Sequence, residues 1–233
     1  MTRTFLRYAA VVALGWGITL VAGCGQDEKS TPEVSASATP SATASPALEP
    51  TATPSPSVSA STTITPGAPV AIEFPRLGAT VSVADQPCPV VNGQLDPDRN
   101  RQDDACYYTA ADKPYVLPSS DAKDIVVLAG HTIRNATAAF NPIYDWKAQK
   151  FAVQVGDELR VRTATSGDTW LVYRAESLHT PTKAGGLASD TTIWGTGPMP
   201  GRLLTIGCLQ PTDLSTHSSR NVVVVWQYAG TAL

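Results

Sequence analysis

Histidine and cysteine are scarce in this chain, at three and four residues out of 233. No cluster of histidine, cysteine and carboxylate has the spacing of a metal-ligand set, so neither a metal nor any other cofactor is implied. Charge is sparse too, at 16%, and the formal net charge is −3. Setting aside the first 23 residues, with Arg3 and Arg7, leaves 15 basic against 20 acidic side chains, or −5. Basic stripes and interleaved aromatic and basic residues are missing, which excludes nucleic acid as a partner. The apolar run at residues 8–22 is shorter than the ~20 residues a transmembrane helix usually needs. With hydrophobic content of 42%, the chain can build one domain plus appendages.

What is present at the N-terminus is an export signal. Arg3 and Arg7 precede the short apolar run, which ends Leu20-Val21-Ala22-Gly23-Cys24. That ending resembles the bacterial lipobox, in which small residues precede a cysteine that is diacylated and becomes the first residue; the competing reading is an uncleaved membrane anchor. Two or more acyl chains on Cys24 anchor stably, placing the protein on the outer face of the cell membrane. Residues 1–23 are therefore assigned to a lipoprotein signal peptide. Residues 24–68 are assigned to a tether, because 30–63 is Ser, Thr, Pro and Ala with five exceptions. Such a segment cannot bury enough apolar surface to offset its conformational entropy and is expected to be disordered. At ~3.1 Å per residue in an extended proline-rich chain it reaches on the order of 100 Å.

The folded domain is expected over 69–233. Strands are predicted at residues 70–74, 79–83, 124–130, 158–163 and 170–177, with a short helix over 138–146 and a long Gly- and Pro-rich connection over 179–202. Two further runs close the chain, Leu203 to Gly207 ahead of Cys208, and Val222 to Trp226 after Arg220. Short strands with turn signals and little helix argue an all-β barrel or sandwich. Cys88 and Cys106 lie in an irregular stretch, and two nearby cysteines in an exported chain usually pair. Closing a loop of about 18 residues stabilises by roughly 3 kcal/mol in the chain-entropy model. That pairing leaves Cys208 as an intermolecular partner or a reactive thiol, and the second reading is preferred.

His131 follows an apolar strand and a glycine, much as Cys208 does. A cysteine, a histidine and an arginine at strand ends supply a nucleophile, an acid/base and a cation for a developing oxyanion. His179 and His217 sit in polar loops, with His217 the reserve base.

Ala129-Gly130-His131, Phe140, Gly156-Asp157 and the block from Leu204 to Cys208 with Arg220-Asn221-Val222-Val223 together resemble the sortase family, in particular its actinobacterial, class E/F-like branches. The resemblance covers about residues 69–230. It implies an eight-stranded β-barrel and a cysteine transpeptidase that cuts a C-terminal LPxTG-type sorting signal between threonine and glycine. The acyl group then passes through a cysteine thioester to an amine. Carried over, Cys208 is the nucleophile, His131 the acid/base and Arg220 the oxyanion or substrate stabiliser, with Thr205, Gly207 and Trp194 toward the substrate. The implied partners are exported proteins bearing a sorting signal, with a peptidoglycan precursor or a pilin amine as acceptor.

Two departures stand out. Gly207 replaces the threonine that usually precedes the nucleophile, and restoring threonine there is expected to raise activity or shift signal preference. A lipid anchor replaces the family's usual uncleaved transmembrane segment. Other cysteine enzymes of the wall fit less well. L,D-transpeptidases place histidine shortly before cysteine, whereas His131 precedes Cys208 by 77 positions, and papain-like peptidases reverse the order. The non-enzymatic alternative is a degenerate barrel that only holds peptides.

Overall fold

The computed structural model describes residues 63–91, 94–109, 115–213 and 215–233. The signal peptide, Cys24 and residues 24–62 of the tether lie outside the described residues. Among those described, no helix is long and apolar enough to cross a membrane.

Eight strands close into a barrel: β1 Pro69–Phe74, β2 Ala79–Val83, β3 Asp104–Tyr108, β4 Val126–Gly130, β5 Glu158–Thr163, β6 Trp170–His179, β7 Arg202–Leu209 and β8 Arg220–Ala232. Their order around the wall is β1-β2-β3-β4-β7-β8-β6-β5, and β5 pairs back onto β1 with Ile72 opposite Val161. Closure removes the free edges that an open sheet would expose. The β2–β3 and β4–β7 neighbours run parallel, and the other six pairs are antiparallel. A parallel pair sends both chains out at the same end of the barrel. For β4 and β7, that is the end where the sequence places His131 and Cys208.

Alternation along the strands decides what fills the barrel. Ile72, Phe74, Leu128, Leu159, Leu171, Tyr173, Leu203, Val224 and Trp226 point inward and are fully or almost fully buried. Fully burying such a side chain contributes about 1.5–3 kcal/mol. On the outer face of β4, β7 and β8, the alternate residues Val127, Leu204, Ile206, Val223 and Val225 form a second buried cluster with Ile193. These strands are therefore covered on both sides, which explains why their sequences are continuous apolar runs rather than alternating ones.

The cover is the connection from β6 to β7. It is predicted as irregular, yet it folds into two single-turn helices, α1 Gly186–Ser189 and α2 Thr191–Trp194. Asp190 caps the second, its Oδ1 accepting from the Thr192 amide at 3.0 Å. The amide and hydroxyl donors of Thr192 hold the Asp190 carboxyl below its ordinary range.

The helix predicted over 138–146 does not form. Only a 3-10 turn, Asn141–Ile143, appears, followed by a hairpin in which Tyr144 pairs with Phe151. Asn141 accounts for the difference: its Oδ1 accepts from the Ile133 amide at 2.7 Å, and its Nδ2 donates to the Ala136 carbonyl at 2.6 Å. Those bonds fix the chain in a turn that side-chain propensity does not anticipate. The folded part also starts earlier than expected. Ile64, assigned to the tether, is buried at 3% exposure; its amide donates to the Ser120 hydroxyl and its carbonyl accepts from the Ser120 amide. Cys88 and Cys106 form a disulfide with Cα atoms 5.1 Å apart, and the pair packs on Ala129 of β4.

Candidate active site

Strand alternation puts Leu203, Thr205 and Gly207 on the barrel's inside and Leu204, Ile206 and Cys208 on its outside. Cys208 is a free, half-buried thiol near the end of β7, and its register partner on β8 is Asn221. On the other side, β4 runs parallel with Ala129 level with Ile206. Two residues further on, the same register brings His131 level with Cys208 and onto the same face. The nucleophile and imidazole predicted from the sequence thus exit neighbouring strands together.

His131 Nε2 lies 2.8 Å from the carbonyl oxygen of Pro97. A carbonyl can only accept, so Nε2 carries the hydrogen, and in the neutral ring Nδ1 is the lone-pair nitrogen. Pro97 belongs to the segment between Cys88 and Cys106, so this histidine is steered from inside the disulfide loop.

Arg220 begins β8 opposite Leu209, a residue packed against the barrel interior. Its register face is therefore the one opposite Cys208. The guanidinium is occupied, with Nε donating to the Thr180 carbonyl at 2.6 Å and Nη2 to the Thr180 hydroxyl at 3.0 Å. Its charge is felt by Tyr144, whose phenol is pushed up by burial and pulled partly back by Arg220.

Four residues that sequence reasoning passed over complete the surroundings of Cys208. Lys183 Nζ donates to Cys208 Sγ at 3.1 Å. The Thr132 hydroxyl donates to the Cys208 carbonyl, and Gln210 Nε2 in turn donates to the Thr132 carbonyl at 2.6 Å. Asn221 Nδ2 donates to the Gly207 carbonyl at 3.0 Å. The peptide units on both sides of Cys208 are therefore held by side chains. Threonine next to a candidate histidine and asparagine next to a candidate arginine were visible as neighbours. Nothing in the sequence reported that Lys183, 25 positions upstream, folds back onto the sulfur.

Of the three residues predicted to face substrate, Thr205 and Gly207 point into the barrel and Trp194 lies on its outer face. Thr205 is fully buried, and its hydroxyl accepts from Trp226 Nε1 at 3.0 Å, so it serves the barrel interior. Gly207 is buried, and a Cβ built on it would sit 3.0 Å from Thr132 Cγ2. Trp194 donates its indole N–H to the Leu187 carbonyl at 2.7 Å and makes a tilted ring contact with Tyr115, which makes another with Tyr108. That aromatic row lies over the outer face of the sheet. His179 is half-buried at the end of β6 with its Nε2 2.7 Å from Ser177 Oγ, and His217 is exposed.

Two cavities flank this end of the barrel. One of about 210 Å³ is lined by Pro97, Asp98, Asp104 and Cys106, and an open one of about 610 Å³ by Leu77, Pro142, Tyr144 and Trp146. Neither is lined by Cys208 or His131. They border the loops that hold the site and do not contain its sulfur.

No family model matches the sequence, and no curated protein matches it. Similar solved structures are sortases. Sortase A of Listeria monocytogenes is 16% identical, with a TM-score of 0.46 over 72% of this chain and 90% of that one. Sortase E1 of Streptomyces coelicolor with a tripeptide in the active site is 17% identical, with a TM-score of 0.45 over 71% and 90%. Sortase C-1 of Actinomyces oris is 17% identical, with a TM-score of 0.45 over 71% and 76%.

Proposed function

We propose that this protein is a sortase-type cysteine transpeptidase, exported and held at the outer face of the membrane by lipid on Cys24. The observation that carries the reading is the pair of strand ends. A free, half-buried thiol leaves β7 level with an imidazole leaving its parallel neighbour β4, while the other two described cysteines are consumed in a disulfide.

Cys208 Sγ attacks the carbonyl at the scissile bond of an LPxTG-like sorting signal, and the C–N bond breaks as His131 delivers a proton to the departing amine. The acyl group remains on sulfur as a thioester. An incoming amine, from a peptidoglycan precursor or a pilin lysine, then attacks the thioester while His131 accepts its proton, and the sulfur leaves as thiolate. The histidine must be cationic in the first step and neutral in the second. Arg220 enters as oxyanion or substrate stabiliser by exchanging Thr180 for a substrate carbonyl, to which its planar fork is suited.

The test is cleavage of a sorting-signal peptide library, read by mass spectrometry as the hydroxamate product with hydroxylamine as acceptor and as the Cys208 thioester without it. Cys208→Ala is expected to abolish turnover, and His131→Ala to lower it by about 10²–10⁴-fold. Wild-type turnover by Cys208→Ala would sink the reading. The second reading, a barrel that binds peptide without cutting it, draws on Arg220 being engaged with Thr180. It predicts peptide binding with no thioester. The anchor has its own check: a metabolically incorporated fatty-acid analogue is expected to label the wild type and not Cys24→Ala.

A further inference from the structure

We infer that Lys183 is a catalytic residue, the cation against which the Cys208 thiolate forms. The inference rests on reading Cys208 as the nucleophile. The two predicted partners of the thiol, His131 and Arg220, and the unpredicted Lys183 do not stand equally close to it in hydrogen-bonding terms. His131 gives its Nε2–H to Pro97, and Arg220 gives Nε and Nη2 to Thr180. Lys183 gives its ammonium to the sulfur itself, at 3.1 Å.

The local chain makes that approach more than a chance meeting of flexible groups. Lys183 opens the connection that covers the outer face. Its amide donates to the Ser219 carbonyl at 2.9 Å, and its carbonyl accepts from the Gly185 amide at 2.9 Å. Thr182 bridges to Arg220, at the start of β8. The backbone of Lys183 is thus pinned to the strand beside β7 on one side and to its own turn on the other. Lys183 and Cys208 are both half-buried, so the pair is only partly exposed to screening solvent. A cation in contact with a thiol favours the thiolate, which is the reactive form.

The ammonium also has a use after attack. The oxyanion of a tetrahedral adduct on Sγ forms two bonds from the sulfur, and lysine carries a compact charge on a flexible four-carbon stem that can follow it. Arg220 and Lys183 then divide two tasks. Lys183 serves the sulfur and the atoms attached to it, while Arg220, on the other register face, serves the backbone of the bound peptide.

The experiment is alkylation of the full-length protein by iodoacetamide at pH 7, followed at the Cys208 peptide by mass spectrometry. It reads the thiolate whatever the substrate. Lys183→Met is expected to slow alkylation by about tenfold, the scale of one ion-pair contact at a partly exposed site. Lys183→Arg is expected to keep the rate within about threefold of wild type. Lys123→Met, at an exposed lysine paired with Asp121, is the control for loss of a distant charge. Lys183→Gln stands in should the methionine variant melt early. An unchanged rate in the Met or Gln variant overturns the inference, and so does equal slowing in Met and Arg, which would make shape rather than charge the cause. Thioester capture is scored separately in the same samples. A wild type that forms no thioester removes the enzyme reading, and alkylation still decides Lys183.

Discussion

At the scale of single residues, the unusual glycine before the nucleophile has a partner. The sequence alone suggests that Gly207→Thr restores a missing hydroxyl and helps. The structure argues the other way, because the space is tight: a Cβ at 207 meets Thr132 Cγ2 at 3.0 Å and Phe140 Cβ at 3.6 Å. Thr132, from the neighbouring strand end, fills the space and supplies a hydroxyl to the Cys208 carbonyl. Gly207→Thr is therefore expected to cost about 1–3 kcal/mol by overpacking and to lower turnover. Urea unfolding and peptide cleavage measure the two. Combining it with Thr132→Gly is expected to recover most of the loss, whereas additivity of the two changes would show that the residues do not share the site.

Among the elements, seven of the eight barrel strands were legible, helped by β4, β7 and β8 being apolar on both faces and by the turn residues that bound β5 and β6, whereas β3, Asp104–Tyr108, falls in the stretch read as irregular. His131 and Cys208 were legible for the same reason, each being the first chemistry-bearing side chain past an apolar run. The 138–146 segment was not, since its turn is set by the Asn141 side chain and not by propensity. Lys183 was not, because a connection's course over a sheet depends on tertiary packing that no local pattern encodes. One loop bond can be tested by pH. Arg76 Nε donates to Asp157 Oδ1 at 2.6 Å, and the Gln154 amide donates to Oδ2 at 2.7 Å. The Arg76 hydrogen bond leads in holding the Asp157 carboxyl below its ordinary value, against the upward push of burial. A lowered folded value means this contribution is present above the ordinary carboxylate range and fades as pH falls below about 4. Thermal melts from pH 6 to pH 3 are expected to show a smaller acid loss in Asp157→Asn than in wild type. Parallel curves would place the acid sensitivity elsewhere.

For the whole molecule, the topology gathers the chemistry at one end. The parallel β4–β7 pair delivers imidazole and thiol there, β8 starts there, and the segment after β4 is tied across to the β7–β8 loop by Arg134, which donates to the Pro211 and Thr212 carbonyls. The disulfide contributes at this scale as well. The Cys88→Ser, Cys106→Ser double variant is expected to lose roughly 3 kcal/mol in denaturant unfolding, the chain-entropy value for a loop of this size. It is also expected to lose acyl transfer by more than its unfolded fraction explains. A variant whose activity falls only in step with its folded population would detach the bridge from the chemistry.

The reason for that excess lies in the bond from His131 to Pro97. The only described protein atom seen fixing the imidazole's Nε2 sits inside the loop that Cys88 and Cys106 close. If the chain is exported as proposed, then before secretion, in a reducing cytoplasm, that loop would be open and the ring without its guide. On the proposed reading, the newly made chain would then be a poor catalyst inside the cell that makes it. Crossing the membrane would do more than deliver the protein to its substrates: oxidation on the far side would complete it, so that maturation and compartment become one event.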